Sequence, residues 1–579
     1  MSNDMSLDLV NTLKSIVGGA HVLTEPRATR RYRSGYRFGT GAALAVVLPG
    51  SLVEQWRALE VCLRANVIVI TQASNTGLTG GSTPDGDDYD RPIVIVSTTR
   101  LRTLHLISEA KQVVCLPGAT LDQLERTLKP LGREPHSVIG SSCIGASVFG
   151  GVCNNSGGAL VHRGPAYTEL AVYAQVDAKG RLRLVNHIGI ELGDTPEQIL
   201  ERLERGHFPE ADIRHNTAAA SDGEYATHVR QIDAATPARY NADPRRLHGA
   251  SGSAGKLMVF GVRLDTFASE AGARVFYIGT NAAQDLTRIR RDILGSFVHL
   301  PIAGEYLHRD AFDIAERYGK DLFLMIDHLG TQRLPTMFAL KARCDALFDR
   351  LGLPSHLSDK VLQGVSRLFP SHLPPRMKAY RDRFAHHLML KVSAAGADEA
   401  HDYLRMTLSG TGADFFECSD QEGSKAFLHR FAAASAAVRY RSIHSADVED
   451  IVALDIALRR NDQEWEETLP PELDQAISRK LYYGHFLCHV FHQDYIVRKG
   501  QDCLALEHRL WALLDARGAE YPAEHNVGHL YPAKPALKAF YQELDPCNCF
   551  NPGIGKTGKF AHYRNAETGD TGIREAEMT

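Results

Sequence analysis

The first half of the chain alternates short apolar runs with amphipathic stretches. Between about residues 40 and 265, runs such as ALAVVLPG are followed by segments with helical apolar spacing, such as SLVEQWRALEVCLRAN. Short apolar runs rich in β-branched residues are typical of buried strands, and a period of about 3.6 residues is typical of helices. Ser51 and Thr120 stand where helix N-caps are expected. The pattern predicts an α/β region.

The residue pattern and the charge change between about residues 305 and 385. This segment has helical spacing, is basic, and is interrupted by FPSHLPPRMK. Residues 331–390 contain ten Lys and Arg against four Asp and Glu, a balance of +6, so the remainder carries −10. Two interpretations stay open. The segment is either a solvated helical face or an electrostatic dock for anionic lipid, aided by exposed Leu and Phe.

Residues 386–519 return to alternating strands and helices. The segment FLHRFAAASAAVRYR predicts an alanine-rich helix, and LYYGHFLCHVFHQDYIVRK reads as strand. Residues 520–579 are rich in Gly and Pro and end in a polar tail that is expected to fray.

Composition restricts the class of protein. A chain of 579 residues predicts two or more domains. With 44% hydrophobic and 23% charged residues, it resembles a soluble globular protein, and a net charge of −4 does not indicate a nucleic-acid partner. The start of the chain lacks a secretory-signal pattern, and no apolar run reaches the length of a membrane span. Ten scattered cysteines without a CxxC favour a reducing cytoplasmic compartment, and peripheral membrane attachment stays open.

Two segments rich in small residues point to a ligand. QASNTGLTGGSTPDGDDYDRP, residues 72–92, follows a predicted strand, and residues 132–158 contain seven glycines with little charge. Glycine lets successive N–H groups turn towards one anion. The spacing is not the G-x-G-x-x-G that opens a Rossmann helix. One loop alone fits an ordinary surface turn, but the two together predict a dinucleotide site.

A rival phosphate motif is NPGIGKT, residues 551–557. A Walker loop needs glycine five positions before the glycine of its GK pair, and that position is Phe550 here. The remaining chain is also too short for the helix and sheet that follow such a loop. Nucleotide hydrolysis is therefore disfavoured.

Titratable residues gather in two short segments near the C-terminus. GHFLCHVFHQDY and YPAEHNVGHLY place three histidines in the first segment and two histidines with a glutamate in the second. Such residues offer a base near neutral pH or a divalent-metal site, although a histidine on an apolar strand is commonly a core residue. Arg430 lies among small residues, where its planar fork could clamp a carboxylate or form a structural ion pair.

The two small-residue segments together resemble the FAD-binding domain of the vanillyl-alcohol-oxidase and p-cresol-methylhydroxylase type. More narrowly, the chain resembles the family of bacterial respiratory, quinone-dependent D-lactate dehydrogenases. The motifs that carry this resemblance extend over nearly the whole chain: RGPAYTE, TPARYNADP, FPSHLPPRMK, EGSKAFLHRFAAA, ALDIALRRND, YYGHF, VFHQDYIV and YPAEHNVGHLY.

The resemblance implies an α+β fold with a two-subdomain FAD-binding domain of the vanillyl-alcohol-oxidase type, an antiparallel-sheet cap and a basic helical membrane-binding insert. The implied divisions are an FAD-binding domain at 1–265, the first part of the cap at 266–304, the insert at 305–385, the remainder of the cap at 386–519, and a C-terminal return to the FAD domain at 520–579.

The resemblance also implies site residues. It assigns to FAD Ala73, Ser74, Asn75, Thr76, Gly77, Gly81, Ser82, Gly140, Ser147, Gly157 and Val259. It makes His525 the catalytic base and adds Glu524, His485 and His492 to the catalytic set, with Arg430 as our candidate carboxylate clamp. In the wider family of D-2-hydroxyacid dehydrogenases, the equivalents of His485, His492 and Glu524 can hold a divalent metal.

Two departures from that wider family matter. A DGN sequence is replaced by CHV, and the glycine after the last histidine is Asn526, so a metal requirement is left open. The first hundred residues show no clear His or Cys counterpart for covalent flavin attachment, and we expect non-covalent FAD.

The implied function is oxidation of D-lactate to pyruvate, with FAD as hydride acceptor and ubiquinone or menaquinone as electron acceptor. The enzyme would sit peripherally on anionic lipid at the cytoplasmic face of the inner membrane. The alternatives are a soluble FAD dehydrogenase of glycolate or 2-hydroxyglutarate, an oxidase that reduces oxygen, and a non-enzymatic membrane adaptor.

Overall fold

The computed structural model describes residues 3–136, 145–215, 217–331, 334–353 and 356–564. Three sheets organise this part of the chain, two in the N-terminal half and one in the C-terminal half.

The first sheet is small and largely parallel. Its strands are β1 (Val22–Leu23), β2 (Ala45–Val47), β3 (Ile68–Gln72) and β4 (Ile93–Ser97). Their order is β1-β2-β4-β3; β2, β4 and β3 run parallel, while β1 is antiparallel to β2. Residues of β2 and β4 are buried, as expected for strands covered on both faces.

The second sheet is antiparallel. Its strands are β5 (Leu104–Ile107), β6 (Gln112–Cys115), β7 (Arg133–Pro135), β8 (Ala171–Val176), β9 (Leu182–Asn186) and β10 (Met258–Ala268). Their order is β5-β6-β10-β8-β9, with β7 paired to β10. Because β10 continues to Ala268, the predicted boundary after residue 265 falls inside this strand.

The described residues before the third sheet form seven helices: α1 (Asn3–Val17), α2 (Pro26–Arg33), α3 (Leu52–Arg64), α4 (Leu121–Leu128), α5 (Val148–Cys153), α6 (Pro196–Arg205) and α7 (Tyr225–Val229). The predicted N-caps are confirmed. The Ser51 hydroxyl accepts from the Glu54 N–H at 3.1 Å, and the Thr120 hydroxyl accepts from the Gln123 N–H at 3.2 Å.

The third sheet is a seven-stranded antiparallel cap. Its strands are β11 (Arg274–Thr280), β12 (Ala303–His308), β13 (His386–Val392), β14 (Asp414–Glu417), β15 (Val448–Ala457), β16 (Ile477–His485) and β17 (Val490–Arg498). Their order is β14-β11-β13-β12-β16-β17-β15. The histidine-rich segment is therefore a hairpin of β16 and β17, with His489 at its turn in the left-handed conformation (φ 59°).

The part of this half that the structure describes contains eleven helices: α8 (Ala283–Ser296), α9 (Arg309–Tyr318), α10 (Lys320–Leu329), α11 (Leu334–Arg350), α12 (Leu357–Ser366), α13 (Pro375–Arg383), α14 (Ala397–Leu408), α15 (Asp420–Ile443), α16 (Pro471–Asp474), α17 (Cys503–Ala516) and α18 (Pro535–Leu544). The alanine-rich helix is α15, whose small residues pack against α9 and the cap sheet.

The basic segment differs from the predicted 305–385 insert at its start. β12 is a cap strand that crosses the boundary at residue 304, and α9 buries Phe312 in the cap core. From α10 to α12, and in the residues directly after α12, large apolar side chains are exposed among the charged ones. They include Leu340, Leu347, Leu351, Val361, Leu368 and Phe369. Among the described residues, no helix has the length and apolarity needed to span a bilayer.

The C-terminal segment returns to the first sheet. Val69 donates to the Cys549 carbonyl at 3.0 Å, and Asn551 donates to the Val69 carbonyl at 3.1 Å. The Asn551 side chain donates to the carbonyls of Gly81 and Ala254 at 2.8 and 3.0 Å. The NPGIGKT sequence is thus built into the fold, where it holds the glycine loop in place.

Candidate active site

A cleft of about 760 Å³ lies between the two small-residue segments and the cap sheet. The described residues that the sequence assigned to FAD all line it: Ala73, Ser74, Asn75, Thr76, Gly77, Gly81, Ser82, Ser147, Gly157 and Val259. Gly140 lies outside the described residues. The five predicted catalytic residues line the same cleft.

In the glycine loop, residues 73–82, Gly77 and Gly81 are required by the close approach of a neighbouring side chain and not by a left-handed backbone. Positive φ occurs at Asn75 and Gly80, while Gly77 and Gly81 have ordinary φ. A Cβ at Gly77 or Gly81 would approach the Asn526 amide nitrogen to 2.8 or 2.4 Å. The C-terminal segment that carries Glu524 and His525 therefore rests directly on the loop.

The cleft fits a flat, polar cofactor such as FAD. One wall is the backbone of the glycine loop, and the other is the small-residue stretch around α5 and Gly157. The hydroxyl of Thr71, at the edge of the loop, is buried without a hydrogen-bond partner among the described residues. A buried hydroxyl is expected to have a partner, so its position suits a ligand group.

Most of the titratable side chains of the cleft lie on one face of the cap sheet. Glu305 on β12 lies opposite His485 on β16. Tyr483, two residues earlier on β16, lies opposite His492 on β17, which in turn lies opposite Asp455 on β15. Since side chains alternate between the two faces of a strand, this register places all five on the same face.

A buried ion network runs from the cap into the FAD domain. His485 contacts Glu305 through Nδ1 at 2.6 Å and Glu524 through Nε2 at 3.2 Å. Glu524 also accepts from Arg239, which donates in addition to the carbonyls of Gly158 and Leu160. Gly157 must be glycine here, since a Cβ would come within 2.3 Å of Glu524 Oε1.

The charges in this network are mutually stabilised. Burial would raise the pKa of Glu305 and Glu524, but the neighbouring cations hold both below the usual range. Burial would lower the pKa of His485, but the two carboxylates outweigh it and raise that pKa to about 9. His485 is therefore an imidazolium at neutral pH.

Asp455 organises the other two histidines. Its Oδ2 accepts from the backbone N–H groups of Glu524 and His525 at 2.6 and 2.7 Å. The Nδ1 atoms of His492 and His525 each lie 3.6 Å from an Asp455 oxygen, and the two rings stack with centroids 5.6 Å apart. Burial, together with the charges of Arg430 and His485, holds the pKa of His492 well below its usual range. The side chain of His525 is 40% exposed.

Arg430 serves as an ion-pair partner and also faces the cleft. Its Nε lies 2.8 Å from Glu305 Oε2, and its guanidinium stands 4.9 Å from the centre of the Tyr483 ring. Its second terminal nitrogen, Nη2, is buried without a hydrogen-bond partner among the described residues. The structural interpretation and the clamp interpretation are thus compatible, because donor capacity is left over.

His485, His492 and Glu524 do come together, with potential ligand atoms within 4.8 Å of one another. The donor set nevertheless fits a metal poorly. His485 directs one ring nitrogen at each of two carboxylates, so as an imidazolium it has no free lone pair, and Glu524 is already neutralised by Arg239. Imidazole must be deprotonated to bind a metal, so we derive no step through one.

The sequence patterns do not single out Glu305, Asp455, Arg239 and Arg37. Glu305 lies inside the segment predicted as the insert, and Asp455 and Arg239 lie in motifs that carry the family resemblance without an assigned role. A carboxylate within an apolar strand, such as ALDIAL, was the available signal.

Arg37 lies at the tip of a tight turn in the cleft wall. Gly35 donates to the Gly39 carbonyl at 2.8 Å, and Gly39 has a φ of 83°. Tyr36, Arg37 and Phe38 all line the cleft. Arg37 is exposed, and its charge acts on Asp494 and Glu507 across the cleft. The turn therefore presents a cation at the opening.

Comparison with solved structures shows the fold, and a family model adds the cofactor. The fold matches p-cresol methylhydroxylase with a TM-score of 0.58 at 11% identity, covering 96% of this chain and 97% of the other. It matches alkyldihydroxyacetonephosphate synthase with a TM-score of 0.58 at 11% identity, covering 94% and 84%. A family model described as FAD binding domain matches residues 43–186. The chain is an FAD-binding protein of the vanillyl-alcohol-oxidase and p-cresol-methylhydroxylase fold.

The particular family follows from closer relatives. A model described as D-lactate dehydrogenase, membrane binding, matches residues 275–563. The quinone-dependent D-lactate dehydrogenase of Escherichia coli (strain K12) is 58% identical over 96% of this chain and 98% of its own length. That of Haemophilus influenzae (strain ATCC 51907 / DSM 11121 / KW20 / Rd) is 59% identical over 96% and 99%. The chain belongs to the quinone-dependent D-lactate dehydrogenase family, which confirms the predicted resemblance.

Glu507, on α17 at the cleft, yields a pH-dependent test. Burial raises its pKa to about 7, against the opposing charge of Arg37. The folded state then binds more protons than the unfolded state between about pH 4.5 and 7, so this group costs stability as the pH rises through that window. We expect Glu507→Gln to increase the free energy of unfolding by about 1–2 kcal/mol at pH 8, after allowance for partial exposure, and to change it little at pH 4.5.

Denaturant unfolding at both pH values measures the effect. Glu543→Gln, at an exposed site on α18, is the matched control and should show no difference between the two pH values. An equal gain for Glu507→Gln at pH 4.5 and pH 8 would contradict the raised pKa.

Proposed function

We propose that the protein oxidises D-lactate to pyruvate with FAD and passes the electrons to a respiratory quinone while bound peripherally to the membrane. The observation that carries this proposal is the convergence in one FAD-type cleft of a partly exposed histidine, a buried imidazolium and arginines suited to a carboxylate. The names of the close relatives support the choice of D-lactate and quinone.

FAD is held in this proposal by the glycine loop from Ala73 to Gly77 with Gly81 and Ser82, and by Ser147, Gly157 and Val259 on the facing wall. FAD, when bound, supplies the two-electron acceptor for the hydrogen on the substrate's hydroxyl-bearing carbon. We expect it to be non-covalent, and acid precipitation that releases the flavin into solution tests this.

His525 is the best candidate for the base that accepts the hydroxyl proton. His485 is already protonated, and His492 is largely buried, with 15% of its side chain exposed and a pKa held well below the usual range. His525 alone of the three is substantially exposed in the cleft. Asp455 accepts from its backbone N–H at 2.7 Å, and an Asp455 oxygen lies 3.6 Å from its Nδ1, so the ring is positioned with Nδ1 towards this carboxyl group.

The substrate carboxylate is assigned to two arginines. Arg430 retains a buried donor beyond its pair with Glu305. Arg37 offers a second guanidinium from the opening of the cleft. Charge-assisted hydrogen bonds of this kind are the strong ones, and two of them favour an α-hydroxy carboxylate over a neutral alcohol.

The surface of α10 to α12 is the proposed membrane contact. It combines basic residues with exposed leucines, valines and a phenylalanine, the combination that lets a helix lie in the headgroup region. Attraction to anionic lipid would place the protein at the cytoplasmic face of the inner membrane, where the surface is negative.

We expect His525→Ala to purify with a full complement of FAD but to lose most flavin reduction by D-lactate, because the proton acceptor is gone. The expected loss is about 10²-fold or more. Anaerobic stopped-flow absorbance measures it. His508→Ala, at an exposed site on α17, should reduce at the parent rate. Parent-like reduction of His525→Ala would exclude this residue as base.

Loss of flavin absorbance on reduction (bleaching), measured by the same anaerobic stopped-flow assay with D- and L-lactate, glycolate and D-2-hydroxyglutarate, separates the proposed substrate from its alternatives. Faster reduction by glycolate or 2-hydroxyglutarate than by D-lactate would favour the soluble hydroxyacid dehydrogenase. Peroxide production under air would favour an oxidase.

Arg37→Gln should raise KM for D-lactate about tenfold or more, because one charged hydrogen bond to the carboxylate is lost. The neutral analogue D-lactamide should be oxidised equally by the variant and the parent, since it has no carboxylate to pair. Arg27→Gln, at an exposed site on α2, removes the same charge away from the cleft and is the control. Equal losses with lactate and lactamide would instead indicate a structural role for Arg37.

Changing Arg343, Arg350, Lys360 and Arg367 to Gln should weaken binding to vesicles that contain phosphatidylglycerol, since each basic residue contributes about 1 kcal/mol near an anionic surface. Dye-linked D-lactate oxidation should be unaffected. The same charge change at Arg57, Arg64, Lys179 and Arg205 in the FAD domain is the control. Equal cosedimentation of both variants at physiological salt would place the lipid contact elsewhere.

A further inference from the structure

A second group of metal-type ligands lies outside the cleft, where the cap sheet meets α9. His308, His386 and Glu466 bring one potential ligand atom each to within 4.8 Å of the others. His386 Nε2 is 3.7 Å from Glu466 Oε1. None of the three lines the active-site cleft, so the group belongs to a separate place in the fold.

The backbone fixes the spacing of the two histidines. His308 ends β12 and His386 begins β13, and they are direct cross-strand partners in the antiparallel pair. Such partners have Cβ atoms about 5 Å apart, and here the two ring centroids are 5.5 Å apart. Two imidazoles are thus held side by side by the sheet itself.

The loop that carries Glu466 is anchored by its neighbour. Trp465 is buried, and its ring packs 4.9 Å from the Tyr306 ring and 5.8 Å from the His386 ring. The side chain of Glu466 is 45% exposed, so it can adjust to a ligand while its backbone stays in place.

Both histidines use Nδ1 for a protein contact, which leaves Nε2 for an ion. The Tyr306 hydroxyl lies 2.8 Å from His386 Nδ1, and His308 Nδ1 accepts the Asp310 N–H at 3.2 Å. Coordination of His308 through Nε2 would move the imidazole proton to Nδ1 and replace this bond. The Asp310 carboxylate, 3.8 Å from that nitrogen, would then need a small shift to accept a hydrogen bond from it. Metal-bound histidines commonly have such a partner at the second nitrogen.

The balance of charge favours this group over the cluster in the cleft. Here one carboxylate, that of Glu466, stands beside two imidazoles, and His386 is buried while Glu466 is partly exposed. In the cleft, by contrast, His485 and Arg239 already supply the positive charge that an ion would bring.

We propose that His308, His386 and Glu466 form a structural site for a divalent transition metal of the zinc type. Two imidazoles and a carboxylate suit zinc, nickel or copper better than magnesium or calcium. An ion here would join β12, β13 and the loop after β15 at the point where the chain enters α9.

Zinc titration of EDTA-treated, full-length holoprotein by isothermal calorimetry tests the proposal. We expect one equivalent of zinc to bind the parent, with affinity at least tenfold weaker in Glu466→Gln and in His308→Gln. Glu464→Gln, an exposed neighbour, should match the parent. Zinc should raise the Tm of the parent but not of the two variants, because an ion bound only to the folded state stabilises it.

His485→Gln distinguishes the two clusters. The proposal expects this variant to keep the zinc equivalent, whatever happens to its activity. Loss of the equivalent in His485→Gln together with its retention in His308→Gln would move the site to the cleft and overturn the proposal. Retention by both Glu466→Gln and His308→Gln would overturn it as well. Flavin content and D-lactate bleaching of the Glu466 variant serve as the check on folding.

Discussion

The buried ion network from Glu305 through His485 and Glu524 to Arg239 is the interaction on which the arrangement of the site depends. It joins a cap strand, the β16–β17 hairpin, the C-terminal segment and the loop before β10. Burying four charges is costly unless each is paired, and removing one partner would leave an unpaired buried charge. This requirement fixes how the cap sits on the FAD domain.

The network also divides the roles of the histidines. His485 is already an imidazolium paired with two carboxylates, so it cannot accept a proton from the substrate. His492 is desolvated beside Arg430, and of the three histidines His525 is the most exposed to the cleft, with 40% of its side chain accessible. Three histidines that look equivalent in the sequence are thus separated by their surroundings.

Much of the fold and of the site could be predicted. The periodicity located β2, α3 and α15, the caps at Ser51 and Thr120 followed from local hydrogen bonding, and the motifs gathered the residues of the cleft. The single strand expected at LYYGHFLCHVFHQDYIVRK is a hairpin, because apolar residues continue through a turn that has no glycine or proline and instead uses His489 in the left-handed conformation. The insert was expected from residue 305, yet β12 is a cap strand whose pairing depends on distant strands.

By itself, the sequence determined the local elements, the family and the residue types that the chemistry needs, because these depend on short-range periodicity and on motifs read in order. Only the tertiary structure decided which charges meet. The cross-strand register places Glu305 opposite His485 and Asp455 opposite His492. The C-terminal segment, where it returns to the FAD domain, places Asn526 against Gly77 and Gly81. These contacts join residues far apart in the chain, and the protonation states follow from burial and pairing, which exist only once the chain has folded.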